Sequence, residues 1–373
     1  MRLFARPRRD RDGEALVEHL VTAWTRACEG ADLVRNVDTV TGPTVIPPKL
    51  VDITLGPPTV LIAELQPGMI PADVTALAPR IAPHLDVHSL RVEPIGHRHV
   101  RVTLLDADPL DTLVQLDPGT DLMLGRDDAG HALRLDPIDL PHTITQGVTR
   151  SGKSVWTYAL LAQLAGRDDV SLSGCDPTGL LWRPFRGTHH ADRLSAGLTD
   201  LDAHEKVLRA VVDEMDDRIR DLPDDRDQIE IGPARLLIVV VLEEYPGLLR
   251  VLDAGKTRGD DPGQRVRALV SRLLAEGAKA GVRVVILAQR AEASVVGAFE
   301  RAMCSLRISF RTDNRASVEL LHPGTDPAIA DAHTTAAPGV ALITRPGHTL
   351  TRFRAPFLGG YPEYAAAVRR ATS

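Results

Sequence analysis

The sequence predicts an α/β fold: a mostly parallel sheet with helices on both faces, preceded by a small α+β domain. Three observations predict it. Strand-like and helix-like segments alternate from residue 141 onwards, which is typical of a parallel sheet. Residues 236–242 form a continuous aliphatic run, as expected of a strand that is covered on both faces. A glycine-containing loop at residues 147–154 lies between a short strand and an apolar helix.

In chain order we predict five segments. They are a basic arm with an N-terminal helix (1–39), the small α+β domain (40–105), a linker with short strands (106–140), the main α/β domain (141–358) and a C-terminal tail (359–373). The small domain has predicted strands at 51–55, 59–65, 89–94 and 99–105, and a helix at 71–85. The main domain has predicted strands at 143–146, 170–175, 236–242, 282–288 and 306–310, and a strongly patterned helix at 201–222.

The composition narrows the class of protein. The net charge of −6 argues against a protein that coats DNA, but it allows a motor that confines positive charge to a channel. Aromatic residues are only 3% of the chain, so stacking platforms for single-stranded nucleic acid are not expected. The three cysteines lie far apart without metal-ligand spacing, and we expect them to be reduced and buried: Cys28, Cys175 and Cys304.

The N-terminal arm is rich in arginine, at positions 2, 6, 8, 9 and 11. It lacks the apolar segment of a secretory signal, and no run in the chain approaches the ~20 apolar residues of a membrane span. We therefore expect a cytoplasmic protein. The arm is interpreted either as a solvated tail or as a contact with DNA phosphates or anionic lipid.

Residues 147–154, GVTRSGKS, fit the phosphate-binding pattern G-x-x-x-x-G-K-[ST] at every fixed position. Glycines allow backbone N–H groups to converge on phosphate oxygens, and the following helix points its positive end at the anion. Lys153 is expected to reach the terminal phosphates of ATP, and the Ser154 hydroxyl to ligate Mg²⁺. The predicted nucleotide-binding residues are Gly147, Val148, Thr149, Arg150, Ser151, Gly152, Lys153, Ser154 and Val155.

Acidic residues follow the aliphatic strand directly, at the edge where α/β sheets bind ligands. Glu243 is expected to hold Mg²⁺ together with Ser154, and Glu244 to orient or deprotonate the attacking water. Gln289 comes at the end of the strand at 282–288, and it is the candidate sensor of the terminal phosphate.

In this order, the motifs resemble those of the FtsK/SpoIIIE/TraB family of DNA translocases. The segments that carry the resemblance are 141–154 (PHTITQGVTRSGKS), 176–178 (DPT), 214–218 (EMDDR), 241–245 (VLEEY), 287–290 (LAQR), 305–310 (SLRISF) and 313–317 (DNRAS). The similarity covers roughly residues 130–355, and residues 56–93 are more weakly similar to the family's small α domain.

The resemblance implies a RecA-like P-loop NTPase core that uses ATP and Mg²⁺, assembles as a homo-hexamer and pumps double-stranded DNA. It also implies an arginine supplied in trans by a neighbouring subunit. Each candidate for that role is equally compatible with an ordinary surface arginine: Arg307, Arg311 and Arg315. The basic residues after the acidic motif are candidate DNA contacts or simply a solvated loop: Arg250, Lys256, Arg258 and Arg265.

The chain departs from the family pattern at four points. Glu243 replaces an aspartate, and Thr178 replaces a lysine. The N-terminus shows no membrane region. The sequence ends at Ser373, which leaves no room for the winged-helix domain of the septal members, so sequence-directed loading is not expected.

The preferred function is thus an ATP-driven, sequence-nonspecific pump for duplex DNA in mobile-element transfer or DNA segregation. Two alternatives stay open: a secretion-type or accessory ATPase stimulated by a protein, and an ATP-binding regulator that hydrolyses slowly or not at all. Peripheral recruitment to the membrane, or to a protein of a transfer complex, is also left open.

Overall fold

A computed structural model gives the fold and describes residues 11–40, 42–117, 119–290 and 296–372. The described residues divide into two compact units, the first within 11–112 and 128–131 and the second within 113–127 and 132–372. Most of the predicted basic arm, residues 1–10, lies outside the described residues. Within the described ranges, no helix combines the length and apolar character that crossing a bilayer requires.

The first unit is built from helices and antiparallel strands. Its elements are α1 Arg11–Gly30, β1 Arg35–Thr39, β2 Gly42–Ile46, β3 Lys49–Thr54, β4 Val60–Glu64, α2 Pro71–Ile81, β5 Ser89–Ile95 and β6 His99–Leu105. Strands β3-β4-β6-β5 form one antiparallel sheet, and its core includes Trp24, whose indole N–H donates to the Pro48 carbonyl at 2.8 Å. Helix α2 is shorter than predicted and continues as a 3₁₀ turn at Ala82–Leu85, because Pro83 has no N–H for an α-helical bond.

The second unit is the α/β domain. Its strands are β7 Val114–Gln115, β8 Leu122–Asp127, β9 Ala132–Leu135, β10 Thr143–Gln146, β11 Val170–Asp176, β12 Leu194–Ala196, β13 Leu237–Leu242, β14 Val282–Ala288, β15 Leu306–Phe310, β16 Val340–Thr344, β17 Thr351–Arg354 and β18 Pro356–Phe357. Its helices are α3 Lys153–Leu164, α4 Asp202–Arg220, α5 Tyr245–Ala254, α6 Pro262–Glu276, α7 Ala298–Met303, α8 Arg315–Leu321, α9 Pro327–His333 and α10 Tyr361–Ala371.

A ten-stranded sheet organises this unit, in the order β12-β11-β13-β14-β10-β15-β16-β17-β8-β9. The strands from β12 to β15 pair in parallel, and the pairs from β15 to β9 are antiparallel. The predicted α/β class is therefore confirmed. The segment interpreted as a linker contributes β8 and β9, which extend the antiparallel end of the sheet.

Helices cover both faces of the parallel strands. In β13, Val239 and Val241 join the core under α3, while Val240 and Leu242 join the core under α4, α5 and α6. Both faces of the strand are buried, which explains its unbroken aliphatic sequence. All three cysteines are free and buried, as predicted.

The last helix packs against the helix that follows the phosphate-binding loop. Tyr364 of α10 stacks on Tyr158 of α3, with ring centroids 4.5 Å apart and planes inclined by 14°. The Tyr361 and Tyr364 hydroxyls donate to the carbonyls of Leu180 and Leu181, at 2.9 and 2.8 Å. The segment interpreted as a tail thus contains a helix that braces α3 and the loop after β11.

Candidate active site

The phosphate-binding loop begins where β10 ends, and its first residues are hydrogen-bonded to the tips of the two flanking strands. The Gly147 N–H donates to the carbonyls of Ala288 and Gln289, both at 3.3 Å. The Val148 N–H donates to the Arg311 carbonyl at 3.0 Å. The start of the loop is therefore held by the ends of both β14 and β15, next to the predicted sensor residue.

At two positions of this loop, close contacts leave room for glycine but not for a larger residue. A Cβ at Gly147 would lie 2.6 Å from the Ser151 hydroxyl oxygen. Gly152 has φ +111°, and a Cβ there would lie 2.6 Å from the backbone nitrogen of Gly339. The Gly339 N–H in turn donates to the Ser151 carbonyl at 2.8 Å. The loop is thus shaped by its own glycines and by a residue just before β16.

Helix α3 begins at Lys153, so its free N–H groups and positive end face the space enclosed by the loop. The Lys153 side chain is buried, and its ammonium nitrogen lies 3.3 Å from Oε2 of Glu244. Ser154 is exposed, with its hydroxyl on the first turn of the helix. The structure therefore gives the two P-loop side chains different surroundings: a paired cation and an accessible hydroxyl.

The two glutamates follow β13 and have different environments. Burial raises the pKa of Glu243 to about 7; Lys153 opposes this shift, whereas Asp176 and Glu244 add to it. Glu244 adopts a left-handed conformation, φ 45° and ψ 46°, at the start of α5. A Cβ at Gly247 would lie 2.9 Å from Cγ of Glu244, so this glycine makes room for the Glu244 side chain.

These residues meet in one cleft of about 290 Å³. It is lined by residues 147–155 together with Thr178, Glu243, Glu244 and Gln289. The structure therefore brings together the whole predicted nucleotide-binding segment, both acidic residues and the predicted sensor. The role of each in catalysis remains a prediction.

A third acidic residue near the cleft is already engaged. The Asp176 carboxylate is fully buried and accepts hydrogen bonds from the Thr178 N–H (2.8 Å), the Thr178 hydroxyl (2.7 Å) and the Leu181 N–H (2.7 Å). Thr178, which stands where the resembled family has a lysine, thus fixes the loop after β11 and adds no charge to the cleft.

The three candidate arginines lie outside the lining of this cleft. The Arg307 guanidinium donates to three carbonyls, those of Cys304, Leu321 and Arg301, at 3.0, 3.1 and 2.8 Å. Arg311 makes one long bond of 3.4 Å to the Ala336 carbonyl, and exposed Arg315 contacts Glu319 at 2.5 Å. Arg307 is the least available of the three, because its donors already hold the backbone around β15.

Two of the basic residues after the acidic motif are also engaged in ion pairs. Lys256 lies 2.6 Å from Asp261, and Arg265 contacts Glu205 at 2.7 Å and also Asp260.

Gly339 is a residue of the site that the sequence analysis did not predict. Its contact with the loop depends on the return of the chain through β16, and the only local indication is a Pro-Gly turn before a strand.

Comparison with known proteins agrees with the motifs. The model of the FtsK/SpoIIIE family matches residues 116–230. The DNA translocase FtsK of Vibrio vulnificus is 25% identical over 308 residues, which cover 69% of this chain and 30% of that protein. The DNA translocase FtsK of Borreliella burgdorferi is 27% identical over 289 residues, which cover 70% of this chain and 35% of that protein. This chain thus spans about a third of the length of these relatives, and its resemblance to the family is confirmed.

Solved structures support the fold. The conjugation coupling protein TcpA of pCW3, in its monomer form with ATPγS, superposes with a TM-score of 0.58 at 18% identity, covering 95% of this chain and 100% of that one. The cytoplasmic domain of the type VII secretion ATPase EccC from Thermomonospora curvata gives a TM-score of 0.52 at 21% identity, covering 72% of this chain and 33% of that one. At these identities the likeness shows the fold alone, and it agrees with the predicted RecA-like α/β core.

Proposed function

We propose that this chain is an ATP-driven motor that moves double-stranded DNA in mobile-element transfer or DNA segregation. The observation that carries the proposal is the meeting of Lys153, Glu244 and Gln289 around one phosphate-binding loop. The similarity to DNA translocases supports duplex DNA as the polymer. The resemblance to the FtsK/SpoIIIE/TraB family adds a ring of six copies to this proposal, and the need for ATP adds a cytoplasmic location.

The walls of the cleft have distinct tasks in this mechanism. Backbone N–H groups of the loop and the start of α3 bind the phosphates of ATP. Lys153 exchanges Glu244 for the terminal phosphates, and this exchange frees the Glu244 carboxylate. Glu244 then orients the attacking water and accepts its proton, while the Gln289 amide contacts the terminal phosphate.

The side chains present fit a magnesium ion. Ser154 offers an exposed hydroxyl and Glu243 a carboxylate on the same cleft, and oxygen atoms are the ligands that Mg²⁺ prefers. Asp176 is a poor ligand because both of its carboxylate oxygens already accept hydrogen bonds. When bound, the ion would neutralise charge on the β- and γ-phosphates.

ATP hydrolysis with and without linear duplex DNA tests the proposal. We expect stimulation by duplex DNA that exceeds stimulation by single strands and disappears in Lys153→Ala and Glu244→Ala. Two exposed residues at the opposite end of the parallel strands provide matched controls, Lys279→Ala and Glu230→Ala, and both should retain stimulation.

Two contrary results would each favour a different function for the chain. Nucleotide binding with turnover that no DNA increases would refute the DNA motor and favour a protein-stimulated ATPase. Turnover equal to that of Lys153→Ala under all conditions would instead favour an ATP-binding regulator.

A further inference from the structure

The phosphate-binding loop borders a second cleft, of about 530 Å³. This cleft shares Val148, Thr149, Glu244 and Gln289 with the first one, and it lacks Ser154, Val155 and Thr178. The two clefts therefore meet at one end of the phosphate site. That end carries the predicted base and the predicted sensor, and so it is the end expected to hold the terminal phosphate.

Arg250, on α5, lines this second cleft but not the first one. The other two charged groups of the lining are paired, since Glu244 contacts Lys153 and Arg290 contacts Asp313. Arg250 is exposed, and within the described parts of the chain it has no ion pair. Its Nε donates a long hydrogen bond of 3.4 Å to the Pro246 carbonyl, one turn earlier in the same helix.

Because this hydrogen bond is long, the guanidinium donors of Arg250 stay available for an anion. The shared walls offer further groups that suit phosphate oxygens, namely the Thr149 hydroxyl and the Gln289 amide. Glu244, the carboxylate in this lining, is paired with Lys153 while the cleft holds no nucleotide. Among the described residues, the cleft thus combines one cation without an ion pair, two neutral donors and an open space beside the phosphate loop.

We propose that Arg250 binds the terminal phosphate of a nucleoside triphosphate from within the same subunit, reaching it across the second cleft. The inference rests on the proposed nucleotide-binding function and adds a specificity-determining residue to it. Because a diphosphate does not reach this end of the site, Arg250 would distinguish ATP from ADP. A guanidinium fits this task, since it forms charge-assisted and often bidentate bonds to phosphate.

The test is equilibrium binding of ATPγS and of ADP, each with Mg²⁺ and without DNA, to wild type, Arg250→Gln and Arg250→Lys. We expect Arg250→Gln to bind ATPγS about tenfold more weakly and ADP within about twofold of wild type, as fits the loss of one charge-assisted hydrogen bond. Arg250→Lys should recover part of the difference, because it keeps the charge. Arg226→Gln removes an exposed arginine from the loop before β13 and should change neither affinity.

Three results would overturn the inference. One is unchanged affinity of Arg250→Gln for both nucleotides and for duplex DNA, and the second is an equal loss of affinity for both nucleotides. The third is unchanged affinity for both nucleotides with weaker binding of duplex DNA in a separate titration, which would show that Arg250 contacts a DNA phosphate instead. None of these readings requires DNA-stimulated hydrolysis, so failure of the motor proposal and failure of this inference are separable.

Discussion

The ion pair between Lys153 and Glu244 can be broken from either side, and a double-mutant cycle measures its strength. Its charged atoms lie 3.3 Å apart, with 9% and 19% of the two side chains exposed. At an effective dielectric constant of about 20, this separation corresponds to an attraction of about 5 kcal/mol. The desolvation cost of each group cancels in the cycle, but screening by water in the open cleft weakens the pairwise attraction, so we expect a coupling energy of about 1–2 kcal/mol.

The assay is the free energy of unfolding of nucleotide-free wild type, Lys153→Ala, Glu244→Ala and the double variant. Glu244→Ala should also bind ATPγS about tenfold more tightly, because Lys153 no longer has to leave a carboxylate. Single substitutions that add within about 0.5 kcal/mol would refute the reasoning, since they would show that the pair contributes nothing to the nucleotide-free state.

Three further predictions concern single positions. Gly152→Ala should abolish ATP binding, measured by equilibrium titration, because φ is +111° and the new methyl would lie 2.6 Å from the Gly339 nitrogen. Burial, and then Arg283 nearby, lowers the pKa of His142 to about 4, so the stability that depends on its neutral form is lost as pH falls below its ordinary pKa. This loss should reach about 2 kcal/mol at pH 5 in urea unfolding and be absent in His142→Asn. The contribution of Glu243 to stability has the opposite pH dependence. Its pKa is raised to about 7, so the stability of the protein falls as pH rises towards 7. Glu243→Gln should therefore stabilise the metal-free protein by at most about 3 kcal/mol at pH 8 and by only about 1 kcal/mol at pH 5, read from the same unfolding curves.

The parts of the fold that sequence predicted are those with a local pattern. Strand β13 was predicted to within one residue, because a strand buried on both faces must be aliphatic throughout. Helix α4 was predicted as 201–222 and observed as Asp202–Arg220, because its apolar residues repeat with helical spacing. The residues of the phosphate loop also follow a local pattern, because a loop that wraps an anion needs glycine, lysine and a hydroxyl at fixed positions.

The parts that sequence did not predict depend on contacts between distant segments. The stacking of Tyr364 on Tyr158 turns a short C-terminal segment into a brace for α3, and no pattern within the segment names its partner. Arg307 stands at the right place in the motif order for a catalytic arginine, yet three backbone carbonyls occupy its guanidinium. Residue type alone does not reveal whether an arginine is free, because that depends on which carbonyls the fold leaves beside it.

The charges around the phosphate cleft indicate why an arginine from outside it would contribute to hydrolysis. Lys153 and Arg150 line the cleft as cations, opposite the carboxyl groups of Glu243 and Glu244, so the walls carry no net charge once Glu243, with its pKa of about 7, is ionised. Charge develops on the transferred phosphoryl group during hydrolysis, and cations must stabilise it there. Thr178 contributes none. We therefore expect an additional cation to come from outside the cleft, either from Arg250, as proposed above, or from an arginine of a neighbouring subunit. Dilution separates these sources: a cation within the subunit leaves turnover per subunit independent of protein concentration, whereas a neighbour's cation makes it fall as the assembly dissociates.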